Sequence, residues 1–360
     1  MGARRAPEGQ MAQHIAHLNQ LRAQGMPVLS VDLPSGLHGD TGDAAGACVQ
    51  ASHTLALLTL KPGLFTALGR DAAGVIWLDD LGITPASTDI PQALLNPSPA
   101  ARARKHASHK GSYGDVAVIG GAPGMAGAAL LAARAALHGG AGRVYAAVLD
   151  PEVPLLDTMH AELMLRRPEA LLDALDTLTV VCGCGGGTAV IGLLPELLRR
   201  APRLVLDADA LNAVASDPAL QTLLRARGRH EGAPLETVLT PHPLEAARLL
   251  GIDTHSVQKD RLAAAQVLSE RWAGTVVLKG SGTVITAPGT LPRINPTGNA
   301  RLATAGTGDV LAGLIGARMA QGLPAFDAAC AAVYAHGLAA DAWPPRRTLT
   351  ADALARALSP

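Results

Sequence analysis

The segment Ala305-Gly-Thr-Gly-Asp309 combines residue types that can handle a phosphate group at the start of a helix. Two glycines let a backbone approach an oxyanion closely, and the free N–H groups and positive dipole end of a helix bind phosphate. In the first turn, Asp309 can accept a proton from a substrate hydroxyl as that hydroxyl attacks the terminal phosphate of a nucleotide. An ordinary helix cap with a stabilising acid is the alternative, and this segment alone does not decide between the two.

Two further segments join strand and helix candidates. Lys279-Gly-Ser-Gly-Thr283 connects two strand candidates as a hairpin-like turn, and a lysine beside two glycines suits phosphates or an adenine. A surface turn explains that segment equally well. Thr240-Pro-His-Pro-Leu-Glu245 holds His242 between two prolines after a strand candidate. A lone histidine is more often structural, so the prolines favour a ligand-binding role only moderately.

More polar or glycine-rich residues follow other strand candidates. Asp207-Ala-Asp-Ala-Leu-Asn212 follows one of them, and the glycines at 183 and 185–187 follow another. Ligands of open α/β sheets bind beyond the carboxyl ends of the strands. The joint placement therefore predicts a nucleotide site on one rim of one sheet, with phosphate transfer at Asp309. The loop Gly120–Gly127 lacks the spacing of a dinucleotide fingerprint, and no Walker loop is present in the sequence.

The elements that position these residues form an α/β pattern from residue 112 onward. Short β-branched runs alternate with helical patterns, which predicts a largely parallel sheet covered on both faces. The strand candidates are 115–119, 143–148, 179–182, 203–206, 237–239, 275–278 and 283–285. The helix candidates are 125–138, 188–200, 243–250, 256–272, 307–321 and 325–341.

The first part of the chain is organised differently. Residues 8–24 predict an amphipathic helix with Met11, Ile15, Leu18 and Leu21 on one face, and 28–32 predict a buried strand. Weaker strands are expected at 54–58 and 75–78. Four prolines between 85 and 99 argue against regular structure in residues 85–108. The expected division is 1–84, a linker 85–108, and 109–360.

Composition excludes several classes of protein. Of the 360 residues, 48% are hydrophobic and 2% aromatic, and the formal net charge is +0. A neutral, aromatic-poor chain predicts no nucleic-acid partner. No apolar run reaches the length of a membrane span, so no membrane partner is expected. Four scattered cysteines do not form a disulfide framework; Cys182 and Cys184 are expected to be small core residues, and a cytoplasmic location is expected.

Residues 109–358 resemble the ADP-dependent NAD(P)H-hydrate dehydratases of the ribokinase-like superfamily. Besides the Lys279, His242, Asp207 and Asp309 segments, the motifs that carry the resemblance are His109-Lys-Gly-Ser-Tyr-Gly114, Gly124-Met-Ala-Gly-Ala128, Val277-Leu-Lys-Gly280 and Asn295-Pro-Thr-Gly-Asn299. The order and spacing of these motifs are specific, although several of them are weak alone. The resemblance implies a ribokinase-like sheet flanked by helices.

The resemblance also implies a reaction. ADP, or ATP in some members, phosphorylates the ring hydroxyl of the S-epimer of NAD(P)H hydrate, and loss of phosphate restores NAD(P)H, with AMP as the other product. Magnesium is implied as the metal, with ligands that the sequence does not assign. The residues that match family positions are Asp309 (catalytic), Ala128, Gly185, His242 and Asp309 (hydrate-binding), and Lys279, Gly280, Ser281, Gly282, Thr283 and Gly308 (nucleotide-binding). A homotetramer is implied as well.

One loop departs from the family pattern. In Cys182-Gly-Cys-Gly-Gly-Gly187 a cysteine stands in place of the family's proline, and a glycine in place of a bulky residue. We expect this loop to be more flexible, which weakens the assignment of Gly185.

The first part of the chain resembles the C-terminal half of NAD(P)H-hydrate epimerase, a domain often fused to the dehydratase. The matching segments are Arg5-Ala-Pro-Glu8, Val31-Asp-Leu-Pro-Ser-Gly36, Asp40-Thr-Gly42 and Leu60-Lys-Pro-Gly63. Asp32 matches a hydrate-binding position and Ser35 a potassium-binding one. The resemblance leaves out the first half of a Rossmann-like fold, so we expect a partial, remnant domain without epimerase activity, arising from a misassigned start or from degeneration.

Two other functions compete with the dehydratase. A ribokinase-like kinase of a small molecule needs the same anion site and the same base at Asp309, and differs in that its phosphorylated product survives. The hypothesis of a non-catalytic binding protein predicts that residues of the catalytic site are missing, whereas Gly306, Gly308 and Asp309 are all present.

Overall fold

The computed structural model describes residues 5–84, 86, 88–100, 103–228 and 235–358. These residues form two β-sheets, one of three strands and one of ten. The small sheet is parallel throughout and is accompanied by two helices. Its elements are α1 (Gly9–Ala23), β1 (Leu29–Val31), β2 (His53–Leu57), α2 (Gly69–Ala72) and β3 (Val75–Asp79). We call residues 5–79 the front unit and residues 94–358 the main unit.

The large sheet confirms the predicted, largely parallel architecture. Its strands lie in the order β4-β13-β12-β11-β10-β9-β8-β5-β6-β7, and only the β11–β12 and β12–β13 pairs are antiparallel. The strands are β4 (Leu94–Leu95), β5 (Asp115–Gly120), β6 (Arg143–Val148), β7 (Met164–Leu165), β8 (Thr179–Cys182), β9 (Arg203–Leu206), β10 (Glu236–Leu239), β11 (Thr275–Leu278), β12 (Val284–Thr286) and β13 (Arg293–Ile294).

Helices cover both faces of this sheet. One face packs against α3, α11, α12 and α13, and the other against α5 to α8 and α10. The helices are α3 (Ala126–His138), α4 (Glu169–Leu172), α5 (Leu194–Arg200), α6 (Ala208–Ser216), α7 (Pro218–Arg227), α8 (Pro243–Leu250), α9 (Thr254–Lys259), α10 (Arg261–Trp272), α11 (Thr307–Ala320), α12 (Ala325–Asp341) and α13 (Ala351–Ala357). The predicted helix 256–272 is two helices, because Asp260 interrupts it and caps the second with its side chain.

The sequence explains this packing. Every residue of β8 and β11 is buried, as expected of Val-rich strands covered on both faces. Alanine and glycine let the helices approach closely: a Cβ on Gly313 of α11 would lie 2.0 Å from the carbonyl oxygen of Ala132 in α3. Among the helices of the described residues, none combines the length and apolarity that crossing a bilayer requires.

The expectation that residues 85–108 lack regular structure is wrong at one point. Leu94–Leu95 form β4, which pairs in parallel with β13 at the edge of the large sheet. The buried Asn96 that follows donates from Nδ2 to Asn295 Oδ1 at 3.0 Å and to the Cys330 carbonyl at 2.9 Å. No proline lies within this two-residue strand, so each ladder N–H is available.

The expectation of a fully buried strand at 28–32 is also wrong. Ser30 is 8% exposed, but Leu29 and Val31 on the other face of β1 are 56% and 61% exposed. On α1, Ile15 is buried whereas Met11 is 59% exposed. The reason is that β1 is the edge strand of a small sheet, and within the described residues only one of its faces is covered.

Candidate active site

The start of α11 has the form expected of a phosphate-binding helix. Gly306 precedes the helix with φ of 90°, and Thr307 Oγ1 donates to the Leu302 carbonyl at 2.8 Å. Asp309 lies in the first turn and is partly buried. Burial, followed by the negative charge of Asp207, raises the pKa of Asp309 to about 7. A carboxyl group with this pKa both takes up and releases a proton near neutral pH.

A thiol and a second carboxylate lie beside Asp309. The ligand atoms of Cys184, Asp207 and Asp309 all lie within 4.8 Å of one another. The Cys184 thiol lies 3.8 Å from Asp207 Oδ2, and its hydrogen bond with Asp309 opposes the effect of burial on the pKa of Asp309. Burial raises the pKa of Cys184 well above its ordinary value, so the thiol keeps its proton and remains a donor.

Two donors hold Asp207 in place. Lys279 Nζ donates to Asp207 Oδ1 at 2.6 Å, and Thr240 Oγ1 donates to the same oxygen at 2.7 Å. Burial opposes the charge on Lys279, but Asp207 and Glu245 raise the pKa of Lys279 overall. The ammonium lies 3.4 Å from the point where a Cβ on Gly308 would stand. A partly buried cation therefore sits at the helix start, where a phosphoryl group would bind.

His242 is the N-cap of α8. Its Nδ1 accepts hydrogen bonds from the amides of Leu244 and Glu245, and Glu245 Oε2 accepts one from the His242 amide at 2.8 Å. Burial, with a contribution from the Lys279 charge, lowers the pKa of His242, which favours the neutral ring. The cap explains the rigidity that the flanking prolines predicted, and the side chain remains 45% exposed for a ligand.

A cavity of about 510 Å³ adjoins these residues. Lys279, Gly280, Ser281, Thr283 and Gly308 line it, so five of the six predicted nucleotide-binding residues share one cavity. The sixth, Gly282, is absent from the described lining and packs against the front unit instead. Other lining residues are Thr297, Gly298, Asn299, Leu311, Val333 and His336. The volume lies in the range of small-molecule sites.

The loop after β8 brings two predicted hydrate-binding residues together. The Cβ of Ala128 lies 2.9 Å from the point where a Cβ on Gly185 would stand. The Ala122 amide donates to the Gly185 carbonyl at 2.7 Å, and the Gly187 amide donates to Asp209 Oδ2 at 2.8 Å. These bonds oppose the flexibility expected of this glycine-rich loop, and the hydrate-binding role of Gly185 stays a prediction.

Two residues of this centre, Cys184 and Glu245, are not among the residues predicted from the sequence. Cys184 is buried as expected, but it contacts the carboxylates rather than serving only as a small core residue. The signal was its position directly after β8, at the same sheet edge as Asp207 after β9. Glu245 is 4% exposed and lies three residues after His242, the spacing of a capping box.

The two predicted site residues of the front unit, Asp32 and Ser35, have different surroundings. Asp32, with φ of 68°, forms an ion pair with Lys61 and accepts from the Leu57 amide at 3.2 Å. Burial opposes these bonds, but they lower the pKa of Asp32 overall. Ser35 is exposed, and its carbonyl accepts from the Val49 amide at 2.9 Å.

Comparison with known proteins identifies the family. The sequence profile of NAD(P)H-hydrate dehydratase matches residues 116–359. This chain belongs to the NAD(P)H-hydrate dehydratase family. The family match spans every main-unit residue of the candidate site described above, from Ala128 to Asp309.

Individual relatives agree with the family match. The ADP-dependent (S)-NAD(P)H-hydrate dehydratase of Neisseria meningitidis serogroup B is 43% identical over 270 residues, which cover 72% of this chain and 87% of that protein. The crystal structure of the ADP/ATP-dependent NAD(P)H-hydrate dehydratase of Bacillus subtilis, co-crystallised with ATP and Mg²⁺, has a TM-score of 0.61 at 30% identity, covering 71% of this chain and 91% of that one. The ribokinase-like fold is confirmed.

The first part of the chain matches a second family. The profile of the YjeF-related protein N-terminus matches residues 1–63. The bifunctional NAD(P)H-hydrate repair enzyme Nnr of Escherichia coli K12 is 39% identical over 350 residues, which cover 94% of this chain. The chain spans 65% of the length of that relative. It therefore combines a dehydratase-family unit with a segment of the YjeF N-terminal family.

Proposed function

We propose that this protein dehydrates the S-epimer of NAD(P)H hydrate to NAD(P)H, with ADP as the phosphoryl donor and AMP and phosphate as by-products. The observation that carries the proposal is the Asp309 carboxyl, whose pKa is raised to about 7, beside the ion pair of Lys279 with the buried Asp207. A nucleotide-sized cavity lies next to it. The family match and the names of the relatives support the substrate and the donor.

Each part of the site has a proposed role. The hydroxyl oxygen of the hydrated ring attacks the β-phosphorus of ADP, and Asp309 takes the proton from that hydroxyl. The bond between the β-phosphorus and the bridging oxygen breaks, and AMP leaves with that oxygen. The amides at the start of α11 and the Lys279 ammonium stabilise the charge on the moving phosphoryl group. The ring nitrogen then expels phosphate, and loss of a proton from the neighbouring ring carbon restores the dihydropyridine.

The remaining predicted residues hold the two ligands. Gly308 and the turn 279–283 line the nucleotide cavity, and Ala128, Gly185 and His242 are proposed to contact the hydrate. Gly282 contributes to this turn through its backbone, because it faces the front unit rather than the cavity.

Magnesium fits the donor chemistry of this centre. Among the described residues, Asp207 Oδ2 accepts only the weak Cys184 thiol contact, and the ligand atoms of Asp207 and Asp309 lie within 4.8 Å of each other. We propose that the Asp207 carboxylate takes part in holding the ion, because hard divalent cations prefer carboxylate oxygens. When bound, magnesium neutralises charge on the phosphate oxygens.

The deciding experiment incubates the protein with NADH hydrate, ADP and magnesium. We expect recovery of the dihydropyridine absorbance with AMP and phosphate released in equal amounts. A stable phosphorylated alcohol without that recovery would favour the kinase. Asp309→Asn removes the base but keeps the side-chain shape, so turnover should fall about 10³-fold while ADP binding persists. Full activity in this variant would refute the mechanism.

Epimerisation by the front unit is tested separately. The match to the YjeF family and the bifunctional relatives support this activity, whereas the ion pair of Asp32 with Lys61 occupies a predicted hydrate contact. Conversion of the R-epimer to the S-epimer by this polypeptide would contradict the prediction that it lacks epimerase activity. The domain boundaries, the homotetramer and the cytoplasmic location stay predictions.

A further inference from the structure

The nucleotide cavity has a wall that the dehydratase family match does not include. Arg70 and Asp71, on α2 of the front unit, line the same cavity as Lys279 and Gly308. The dehydratase profile covers only residues 116–359. Two charged residues from another unit therefore border the place where the proposed nucleotide binds.

Arg70 fixes one wall of that cavity. Its Nη2 donates to the carbonyls of Pro296 and Gly298 at 3.1 and 2.9 Å, and its Nη1 donates to that of Thr297 at 3.3 Å. Thr297 and Gly298 line the cavity. One guanidinium thus holds three consecutive carbonyls, which its planar, forked donors suit and a lysine ammonium does not.

A second contact fixes another part of the cavity wall, the turn 279–283. The Ala67 amide donates to the Ser281 carbonyl at 3.2 Å, and Ser281 Oγ donates back to the Ala67 carbonyl at 2.9 Å. A Cβ on Gly282 would lie 1.8 Å from the Phe65 carbonyl oxygen, so only glycine permits this approach. The turn 279–283 therefore packs directly against the backbone of the front unit.

A buried arginine links this contact to Lys279. Arg261 is 1% exposed, and its Nε donates to Thr66 Oγ1 at 3.1 Å. Its Nη2 donates to the carbonyls of Leu278 and Lys279, both at 3.1 Å. The backbone that carries Lys279 is therefore tied to the front unit through one fully buried side chain.

We infer that the nucleotide site is shared between the two units, with Arg70 and Thr66 acting as positioning residues for its two walls. The inference rests on the proposed function, since the ligand is a nucleoside diphosphate. The front unit thereby contributes to dehydration through nucleotide affinity, whether or not it epimerises the hydrate.

The test is calorimetric titration of ADP into the full chain and its variants. Arg70→Ala should weaken ADP binding about 10-fold, because the Pro296–Gly298 wall loses its common donor. Arg70→Lys should bind ADP almost as weakly as Arg70→Ala, because a lysine ammonium keeps the charge but does not bridge three carbonyls. Arg22→Ala is the matched control: it removes an exposed positive charge of the same unit, and ADP affinity should stay unchanged. In turnover, the KM for ADP should rise with Arg70→Ala while kcat stays within about two-fold.

The possible failures are distinguishable. A parent protein that binds no ADP would refute the proposed function, whereas parent-like ADP affinity in folded Arg70→Ala would overturn this inference alone. Equal weakening in Arg22→Ala would show a general charge effect and also overturn it. If thermal melting shows that Arg70→Ala is unfolded, Thr66→Val takes its place, since it removes the shared hydroxyl at nearly constant volume. Unchanged ADP affinity in Thr66→Val would then count against the shared site.

Discussion

The front unit and the main unit each hold a carboxylate at a predicted ligand site, and they hold it in opposite ways. In the front unit, Lys61 and the Leu57 amide outweigh burial and lower the pKa of Asp32, which keeps that carboxylate ionised. In the main unit, burial and the neighbouring Asp207 raise the pKa of Asp309 to about 7. The surroundings of an aspartate, rather than its identity, decide whether it exchanges a proton near neutral pH. Of these two carboxylates, only Asp309 is such an acid.

The largest expected effect tests this contrast through the pH dependence of kcat/KM, which reports the pKa of the free enzyme. The proposed mechanism requires ionised Asp309, so kcat/KM should level off above about pH 8 and fall about 10-fold per unit well below about pH 7. Between about pH 8 and about pH 5 the loss is about 100-fold. Initial rates at subsaturating ADP and hydrate measure it.

The front unit offers the control for this profile. Asp32→Asn removes a carboxylate that is already ionised throughout this range, so the midpoint should not move. A parent profile that is flat across the same pH range would show that Asp309 is not the base. The difference in pKa between Asp32 and Asp309 would then have no role in catalysis.

A second test compares the two units in stability. Leu204 of β9 is fully buried, and Leu204→Ala should cost about 2.5 kcal/mol of unfolding free energy by leaving a cavity. Leu29 of β1 is 56% exposed, and Leu29→Ala should cost less than about 0.5 kcal/mol. Urea denaturation at low protein concentration measures both. A cost for Leu29→Ala that matches that of Leu204→Ala would mean that β1 is covered in solution.

The same contrast explains how far the fold was predictable. Runs such as 179–182 and 275–278 predicted strands correctly, because Val-rich segments buried on both faces leave little alternative. The prediction that 28–32 is buried was wrong, because an apolar run does not show whether another helix or sheet packs against both faces of the strand. The strand Leu94–Leu95 was missed since two residues between prolines carry no periodic signal.

The candidate site was predictable to a similar extent. Asp309 and Lys279 were found because each stands beside glycines at the end of an element, where local sequence reports local geometry. Arg70 was not found, because it meets its partners 226 to 228 residues away. Contacts of that separation leave no trace in spacing, so the shared nucleotide wall appears only when the chain is folded.

A third prediction concerns His336, a wall residue of the nucleotide cavity. Burial lowers the pKa of His336 to about 4, and its Nε2 lies 2.9 Å from the Thr307 carbonyl, which a neutral ring satisfies as donor. A depressed pKa contributes stability above the unfolded value of about 6.5, and that stability is lost as pH falls through about 4. We expect the main unit to lose about 3 kcal/mol of unfolding free energy over this window from this residue.

The measurement compares urea unfolding of the parent and of His336→Gln, which keeps a donor for the Thr307 carbonyl but does not titrate. The variant should start less stable at about pH 7 and lose less on acidification. If both proteins lose the same unfolding free energy on acidification, other groups cause the loss, and His336 does not set the acid stability of this cavity wall.

The smallest expected effect concerns the thiol beside the base. The Cys184 hydrogen bond lowers the pKa of Asp309, so Cys184→Ala should raise the midpoint of the kcat/KM profile. Cys182→Ala is the matched control, since Cys182 is equally buried on β8 but packs among apolar side chains. A similar loss of stability in both variants with an upward midpoint shift only in Cys184→Ala would assign the shift to the thiol. A midpoint that moves equally in both, or in neither, would mean that burial and Asp207 alone set the proton affinity of Asp309.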